Sequence, residues 1–341
     1  MASNTPNLQL YKADPVADGN DLFDINRMLN ENWDKVDTAI GRALKSLGKT
    51  YVWVGNGVTA TATQGDDVRT AVGGSDGFAV FVGLPLGKWA FRATVSGSSR
   101  QKSVTLSVLG ISYISLTTLS GASWSEIDAF AKVGAASQVF QRGDRKTVNL
   151  SGIGNMTLEI ADFNHDFLSG GTGAARAPIT FITKDLLYTT YQMNPTNTNV
   201  GGFPSSALQS TLNGTIFNAL PADLRSVVKT CYKWYGTGNG TTNGKWWGSK
   251  LWLPLSAELF ESPAYAPGTE ITTGGARQYP IFASNASRIK KLSNGSGSAN
   301  YYWLASPPAS NATNFCGVRS DGTGSSANAS GSGGVCFGLC V

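Results

Sequence analysis

The chain has 341 residues, of which 41% are hydrophobic, 14% are charged and 41 are glycine. This composition excludes a disordered chain and favours short strands joined by tight turns, because glycine readily adopts the positive φ angles of turns. The net charge of +5 forms no basic run, so we expect no nucleic-acid partner. One histidine and four cysteines argue against a zinc site, a disulfide scaffold and most histidine chemistry.

Residues 1–20 are polar and include Pro6 and Pro15, which is typical of an extended arm. They contain no apolar stretch of the kind that a secretory signal needs. Elsewhere no apolar segment is long enough to cross a bilayer. We therefore expect synthesis in a cytoplasm and no membrane insertion.

A helix is predicted over about 21–47, with Asp21 as its N-cap. Its apolar side chains alternate at spacings of four and three residues, which is the heptad pattern of a helix that packs against copies of itself. We predict that this first region, 1–48, attaches and oligomerises the chain; the alternative is a single amphipathic helix lying on a neighbouring domain. The predicted oligomerisation seam consists of Leu29, Trp33, Val36, Ile40, Ala43 and Leu47.

From residue 49 the hydrophobic period changes to two, which indicates strands. Turn-rich segments separate the runs, and six short strands at this spacing predict a small antiparallel β-sandwich over 49–120. The aromatic and valine-rich runs around Leu84-Pro85-Leu86-Gly87 resemble the Ig-like or prealbumin-like modules that act as spacers in surface proteins, so we predict a structural spacer. The predicted strands are 51–54, 58–63, 78–82, 89–95, 103–108 and 113–119.

A short helix is predicted over 124–133 with Ser123 as its N-cap, and 121–139 is predicted to be a helical connector. The remainder, 140–341, mixes short strands and helices with long loops rich in Gly, Ser and Asn. Large aromatic rings must hold such a region together, because they bury the most area per residue. The predicted strands are 146–149, 156–163 and 179–183, the predicted helices are 205–219 and 222–228, and the anchors are Trp234, Trp246, Trp247, Trp252 and Trp303.

Short landmark segments follow one another along 140–341. They are Gly143-Asp144-Arg145-Lys146-Thr147-Val148, Phe163-Asn164-His165-Asp166, Ile179-Thr180-Phe181, Tyr191-Gln192-Met193-Asn194 with Gly201-Gly202-Phe203-Pro204, Leu251-Trp252-Leu253-Pro254 followed by Glu258, Arg288-Ile289-Lys290, Tyr302-Trp303-Leu304-Ala305-Ser306-Pro307, Asn314-Phe315-Cys316 and Gly338-Leu339-Cys340-Val341. The whole set, in this order, is specific evidence for a family resemblance, whereas any one segment alone would be weak evidence.

In this order the landmarks resemble the C-type-lectin-like domain found at the ends of phage tail proteins and gut-bacterial surface proteins. Members of that group include targets of diversity-generating retroelements. The segment from Asp24 to Asp37 resembles the attachment helix of phage tail fibres. Together the resemblances imply a multidomain α+β chain with a coiled-coil-like helix, a β-sandwich spacer and a C-type-lectin-like tip. Two positions depart from the family pattern, Ala305 and Cys336.

The composition changes after Trp303. Residues 304–341 contain no Lys, Glu, Gln, Met or Trp, and 22 of them are Gly, Ser, Ala or Asn. Adenine-directed mutagenesis of asparagine codons that end in a pyrimidine yields every residue type present here and none of the missing ones. Apolar residues alternate with the small polar ones, so we expect the apolar set to hold strands to the core. That set is Phe315, Val318, Val335, Phe337 and Leu339.

We therefore predict a hypervariable receptor-binding surface on two loops, since loops on rigid scaffolds commonly carry function. The alternative is a Gly/Ser-rich turn region whose composition is incidental. The predicted binding residues are Ala305, Pro307, Pro308, Ala309, Ser310, Asn311, Thr313, Asn314, Arg319, Ser320, Asp321, Thr323, Ser325, Ser326, Asn328, Ser330 and Ser332.

A few residues could in principle bind a metal or act in catalysis, and each also has a structural interpretation. His165 lacks the partners that a zinc site or a catalytic base requires. Cys336 and Cys340 invite comparison with the formylglycine-generating enzymes that share the lectin-like fold, but small buried thiols are commoner. Calcium would need clustered oxygen ligands, and the tip offers Asp321 with Asn311, Asn314 and Asn328. A polysaccharide-cleaving pair would fall to Glu258 and Glu261. We predict no catalytic residue, metal or cofactor.

The sequence thus predicts a phage tail-fibre receptor-binding protein of the virion tail, without enzymatic activity. The expected partners are a host-cell surface receptor (protein or glycan), phage tail or baseplate proteins bound through the N-terminus, and further copies in a homotrimer. The trimer follows from the tail-fibre resemblance, and linked tips would raise the effective concentration of a weak site. The alternatives are a bacterial or prophage-derived adhesin with the same tip and, third, a tail-associated polysaccharide-cleaving enzyme.

Overall fold

The computed structural model describes residues 3–4, 11–12, 29–46, 48–108, 110–263, 265–295 and 297–341; the side chains of 3–4, 11–12 and 40–46 lie outside this description. The chain is of the mixed α+β class, with several small and mostly antiparallel sheets. It divides into two compact units, Met1–Leu116 and Thr117–Val341. Within the described residues, no helix combines the length and apolar character needed to cross a membrane.

The first unit contains a helix, α1, that begins at Glu31 within the region where a helix was predicted. Glu31 and Asp34 lie in its first turn, where negative charge interacts favourably with the helix dipole. The predicted N-cap, Asp21, lies outside the described residues. The elements of this unit are β1 (Ser3–Asn4), β2 (Tyr11–Lys12), α1 (Glu31–Ser46), β3 (Lys49–Trp53), β4 (Thr59–Gln64), β5 (Asp67–Val72), β6 (Phe78–Val82), β7 (Gly87–Val95), β8 (Ser98–Leu106) and β9 (Ile111–Ser115).

Strands β3 to β9 form two sheets with the orders β6-β3-β9 and β5-β4-β7-β8. The inward side chains of both sheets are apolar and buried, among them Val52, Trp89 and Phe91. Phe81 of β6 and Phe91 of β7 meet edge to face, with ring centroids 5.8 Å apart. Since the two rings belong to different sheets, the sheets share one apolar core.

Two features of this unit differ from the sequence prediction. Strand β5 was missed, because Val68 and Val72 point outward and are about 60% exposed, so the strand has no buried apolar face to reveal it. Strand β9 pairs with β3 in parallel, from Lys49 opposite Ile111 to Trp53 opposite Ser115, so the expectation of wholly antiparallel pairing is wrong.

The second unit is built around the four-stranded sheet β10-β11-β12-β18. Its elements are α2 (Trp124–Lys132), α3 (Ala136–Val139), β10 (Arg145–Leu150), β11 (Gly154–Phe163), β12 (Ile179–Thr183), α4 (Ala207–Thr211), α5 (Phe217–Ala219), α6 (Ala222–Val227), β13 (Cys231–Gly236), β14 (Gly244–Ser249), α7 (Ser256–Leu259), α8 (Thr269–Thr272), α9 (Asn285–Arg288), β15 (Tyr302–Trp303), β16 (Asn314–Val318), β17 (Gly324–Asn328) and β18 (Gly338–Cys340).

Helix α2 belongs to this second unit, whereas the sequence placed it in a separate connector. Ser123 caps it, and its Oγ accepts the N–H of Glu126 at 3.1 Å. Trp124 is buried and its ring meets that of Phe181 on β12 edge to face, with centroids 5.5 Å apart. The helix is therefore packed on the central sheet. The helix predicted over 205–219 is interrupted by a wider turn at Leu212–Ile216, which separates α4 from α5.

The strand β18 returns to the central sheet and pairs with Thr180–Ile182 of β12. Close packing fixes its path: a Cβ at Gly338 would lie 2.2 Å from the ring of Trp252, and one at Gly334 would lie 2.4 Å from Leu186. The apolar residues that alternate along the tip, Phe315 through Leu339, are fully buried, which confirms their predicted role in holding the strands.

Because Phe81 links the two sheets of the first unit, Phe81→Ala should lower the free energy of unfolding of that unit by about 3–5 kcal/mol. Val80→Ala on the same strand is the control, since Val80 points outward and is 38% exposed. Calorimetry should show a lower transition temperature for the first unit in the Phe81 variant only. Equal shifts in the two variants would contradict a shared core.

Candidate functional site

Most of the predicted binding residues lie on the hairpin β16–β17 and the loops that flank it. The strands pair antiparallel, from Asn314 opposite Asn328 to Val318 opposite Gly324. Phe315 and Val318 are fully buried, and Cys316 and Gly317 between them are buried as well. Strand β16 is therefore buried on both faces and fixes the hairpin, while β17 and the flanking loops carry the short polar side chains toward the surface.

At one end of the hairpin, the loop 309–313 is held by the side chain of Asn311. Its Oδ1 accepts the backbone N–H groups of Thr313 (2.7 Å) and Asn314 (2.8 Å) and the Thr313 hydroxyl (2.9 Å). Ser310 is exposed, and Asn311, Thr313 and Asn314 are half-buried. The loop thus presents small polar groups on a backbone that local hydrogen bonds keep in one shape.

Asn199 braces this loop from below. It is fully buried, and its Nδ2 donates to the carbonyl oxygens of Asn311 (2.7 Å) and Asn314 (2.8 Å). Its Oδ1 accepts the N–H of Asn239 at 2.7 Å. One side chain therefore ties two loops together, and no local pattern predicts this role because two of its partners lie 112 and 115 residues away.

The segment 190–197 adjoins the same end and was missed as part of the surface. Gln192 donates to the carbonyl of Ser330 at 2.7 Å, and the N–H of Ser330 donates to Asn197 at 3.2 Å. The hydroxyls of Ser332 and Thr190 lie 2.7 Å apart. We call the exposed and half-exposed face made by 190–197, 309–314 and 328–332 the loop face.

The other end of the hairpin is the turn 319–323. Arg319, Ser320 and Asp321 are exposed there, and Asp321 Oδ1 accepts the N–H (2.9 Å) and hydroxyl (2.6 Å) of Thr323. Five-residue strands span roughly 14 Å, so this turn lies well away from the loop face. The predicted surface is thus divided into two patches, with half-buried Ser325 and Ser326 between them.

Three predicted binding residues are buried and do not belong to this surface. Ala305 is fully buried and donates its N–H to the carbonyl of Pro254 at 2.9 Å. Pro307 and Pro308 are also buried, and the ring of Pro307 packs over the backbone of Gly236. The prediction was wrong for these residues because contacts with distant segments, which the local pattern does not reveal, cover them.

The described part of the predicted heptad seam is open to solvent. Trp33 is 67% exposed, Leu29 is 42% exposed and Val36 is partly covered. Ile40, Ala43 and Leu47 fall outside the side chains that the structure describes. Exposed large apolar side chains often mark a surface that packs against another molecule. The oligomerisation seam stays a prediction.

A buried ionic cluster lies in the interior of the second unit. The ammonium group of Lys233 on β13 contacts both Asp166 Oδ1 and Glu258 Oε1, and the three side chains are 2–3% exposed. Tyr279 adds a hydroxyl 3.1 Å from the ammonium nitrogen, and the Trp252 ring centroid lies 3.8 Å from that nitrogen. We call Lys233, Asp166, Glu258 and Tyr279 the ionic cluster.

The two carboxyl groups of the ionic cluster differ in their surroundings. Asp166 accepts hydrogen bonds from Thr180 (2.6 Å) and from Tyr279 (2.9 and 3.0 Å). Burial alone would raise its pKa, but the charges of Lys233 and His165 and these hydrogen bonds lower it. Burial raises the pKa of Glu258, against the opposing effect of Lys233, and the charge of Asp166 raises it further. Glu258 is therefore the carboxyl that more readily holds a proton.

His165 lies beside this cluster and has structural partners. Its Nδ1 lies 2.9 Å from Asp162 Oδ2, and its ring packs on Tyr279 with centroids 4.0 Å apart. Arg142 also contacts Asp162, at 2.6 Å, and these partners outweigh burial and lower the pKa of Asp162 to about 2. The buried, hydrogen-bonded histidine fits the structural role predicted for it.

The other residues considered as metal ligands or reactive thiols lie in different surroundings. The ligand atoms of His165, Asp166 and Glu258 lie within 4.8 Å of one another, but the Lys233 ammonium already occupies the place of a cation between the carboxylates. Cys336 and Cys340 are fully buried, as predicted for structural thiols. Asp321 lies at the opposite end of the hairpin from Asn314 and Asn328, so the oxygen atoms considered for calcium are not brought together.

Another buried carboxyl, that of Glu270 on α8, lies close to the Ser306 hydroxyl. It is fully buried, and neither oxygen has a hydrogen-bond partner of good geometry among the described residues. Burial raises its pKa to about 8, and the nearby Ser306 hydroxyl and Ala257 N–H only partly oppose this. Near neutral pH this carboxyl is therefore mostly protonated.

Residues 179–341 match a family described as a domain of unknown function (DUF6273). The matched range covers just under half of the chain and contains the loop face, Lys233, Glu258 and Tyr279, but not Asp166. No curated protein is significantly similar to the chain.

Because Asn199 satisfies three backbone groups, Asn199→Ala should lower the free energy of unfolding of the second unit by about 2–4 kcal/mol. Asn197→Ala is the matched control, since Asn197 is exposed and its loss should cost less than about 1 kcal/mol. Urea denaturation measures both. A loss in the Asn199 variant as small as in the control would contradict the brace.

Glu270 should make stability fall as pH rises. The folded state retains this proton up to about pH 8 whereas the unfolded chain releases it near pH 4.5, so stability declines across this range. The decline is about 1.4 kcal/mol per pH unit and levels off above pH 8. Urea denaturation from pH 5 to 9 should show a shallower dependence for Glu270→Gln than for the wild type. Glu261→Gln, at an exposed carboxylate, should behave like the wild type; identical slopes in all three would contradict a buried, protonated Glu270.

Proposed function

We propose that this chain is a phage tail-fibre receptor-binding protein, and that its second unit is a C-type-lectin-like tip whose loop face binds a host-cell surface partner. The observation that carries the proposal is the construction of that face. Small hydroxyl and amide side chains project from loops whose backbone is fixed by Asn199, by Asn311 and by the buried strand β16. Antibody loops combine adaptable polar side chains with rigid support in the same way.

The composition of the tip supports a surface that varies in sequence. Residues 304–341 hold only types that adenine-directed mutagenesis of asparagine codons produces. Most of the polar members lie on the two patches, at least partly exposed, while the Phe, Val, Leu and Cys members are buried. Substitution at the exposed positions would alter recognition at little cost to the core, as a target of a diversity-generating retroelement requires.

The first unit supplies the remaining parts of the proposal. Its two sheets would act as an Ig-like or prealbumin-like spacer, and α1 would form a homotrimeric coiled coil through Leu29, Trp33 and Val36. Residues near the N-terminus would attach to tail or baseplate proteins. Three linked tips can hold a cell that a single weak tip would release, because binding of one raises the effective concentration of the others.

The proposal is tested with three matched substitutions of an exposed serine in the second unit: Ser310→Tyr on the loop face, Ser320→Tyr on the hairpin turn and Ser226→Tyr on α6. The labelled full-length chain is bound to intact cells of a panel of gut bacteria. On cells that bind the wild type, Ser310→Tyr should weaken binding at least about tenfold, because a bulky ring blocks close contact across a fitted interface. Ser226→Tyr should leave binding unchanged.

Ser320→Tyr shows whether the turn 319–323 also takes part. Light scattering should give the mass of three chains for the wild type and all variants, so a loss of binding cannot be assigned to disassembly. Unchanged binding by both Ser310→Tyr and Ser320→Tyr would exclude the tip as the recognition surface. Loss of cell-surface polysaccharide mass on incubation with the chain would instead support the polysaccharide-cleaving alternative.

A further inference from the structure

We propose that Lys233 and Asp166 become joined by an intramolecular amide bond, formed without any other protein, and that Glu258 transfers the protons of this reaction. The proposal is independent of the receptor-binding function. It rests on the ionic cluster, which places an amine, a carboxyl and a second carboxyl in contact within an apolar interior. The amine and the two acids are each 2–3% exposed.

The energetic argument concerns charge. A buried ion pair has lost the hydration of both ions, and their mutual attraction often fails to compensate for that loss. Condensation replaces the ammonium and the carboxylate by a neutral amide and releases one water molecule. Burial beneath Trp252 and Tyr279 then separates the amide from bulk water.

Asp166 is the carboxyl suited to be attacked. Thr180 and Tyr279 donate hydroxyl hydrogen bonds to its oxygens at 2.6 Å and at 2.9 and 3.0 Å. Such donors polarise the C=O group and stabilise the negative charge that develops on oxygen during addition. Glu258 has one oxygen on the Lys233 ammonium and the other 2.8 Å from the Leu255 N–H, which orients it beside the reacting nitrogen.

The reaction balances within the cluster. Glu258, which readily holds a proton, gives that proton to the Asp166 carboxylate and takes one from the Lys233 ammonium, which leaves a neutral acid and a neutral amine. The nitrogen lone pair adds to Asp166 Cγ, forming the C–N bond while the C=O π pair moves to oxygen. Glu258 then delivers its proton to the Asp166 hydroxyl, whose C–O bond breaks to release water as the oxygen pair re-forms the C=O bond, and accepts a proton from Nζ. Glu258 ends unchanged, and no oxidant or co-reactant is needed.

The narrow cavity bordered by Asp166, Lys233 and Glu258 gives the released water a place beside the reacting atoms. The raised pKa of Glu258 supports its role, since a carboxyl that retains a proton can protonate a leaving hydroxyl. Lys290 provides a contrast: it is equally buried, but its ammonium donates to the carbonyl oxygens of Thr183 (2.7 Å) and Lys184 (2.8 Å), which cannot condense with it.

The test is mass spectrometry of the full-length chain, purified under native conditions, incubated for days at 37 °C, then denatured and digested with trypsin. The amide should lower the mass by about 18 Da, one water, and block cleavage after Lys233. We expect peptide 147–176 joined to peptide 230–245. Unlinked peptides that account for all of the chain would overturn the proposal. A link from 230–245 to 251–277 would place the amide on Glu258 and overturn the roles assigned to the two acids.

Variants separate the chemistry from folding. Glu258→Gln keeps the side-chain volume but removes proton transfer, so its chain should fold and retain the full mass, with the amide lowered at least about tenfold. Asp166→Asn should still condense, releasing ammonia in place of water. Lys290→Arg should leave the cross-link unchanged. A mass deficit that persists in Lys233→Arg would show that it arises elsewhere and would overturn the proposal, whatever the stability of the other variants.

Discussion

The buried positive charge of Lys233 constrains the interior of the second unit. The Lys233 ammonium is surrounded by an aromatic face and by acids from two separate parts of the chain, the loop after β11 and helix α7. Removing Asp166 would leave this charge uncompensated in a region of low polarity, which is strongly destabilising. The β13 strand, the landmark loop with His165 and the segment with Tyr279 are therefore held to one another by electrostatics as well as by packing.

This arrangement lies inside the same unit that carries the loop face. Surface loops made of serine, alanine, glycine and asparagine bury little apolar area, so they contribute little to their own stability. Their shape comes from beneath, from Asn199 and from the buried side chains of β16 and β18. The interior is thus held rigidly while the exposed loops consist of small polar side chains, so the sequence of these loops can change with little effect on the fold.

Local patterns predicted the parts of the fold that local physics determines. Strand β6 was predicted at its observed bounds because apolar residues and flanking glycines mark it, and α2 was found from Ser123 and the periodicity after it. Phe315 and Val318 were correctly predicted to be buried, because apolar residues among small polar ones mark contacts with the core. In each case the element is determined either by contacts between side chains a few residues apart or by a run of apolar residues that indicates burial.

The ionic cluster and the brace were not predictable in this way. Lys233 lies 67 residues from Asp166 and 25 from Glu258 in the sequence. No pattern of spacing predicts that these three side chains are in contact. Ala305 and Pro307 have the local sequence of surface loop residues, but segments distant in the sequence cover them. The outward-pointing valines of β5 leave that strand without the buried apolar face by which a strand is predicted. A single sequence specifies such contacts only through the complete fold.

The glycines of the segment 333–338 mark positions of the second unit at which the packing tolerates no side chain. Ser332 is exposed, but at the next position a Cβ at Gly333 would lie 2.7 Å from Trp303, and further on one at Gly334 would strike Leu186 and one at Gly338 would strike Trp252. An exposed position and a position restricted to glycine are thus adjacent in the sequence. Combinatorial libraries built on this scaffold should stop randomising at 332, since members altered at 334 or 338 would be lost to misfolding before any selection for a new target could act on them.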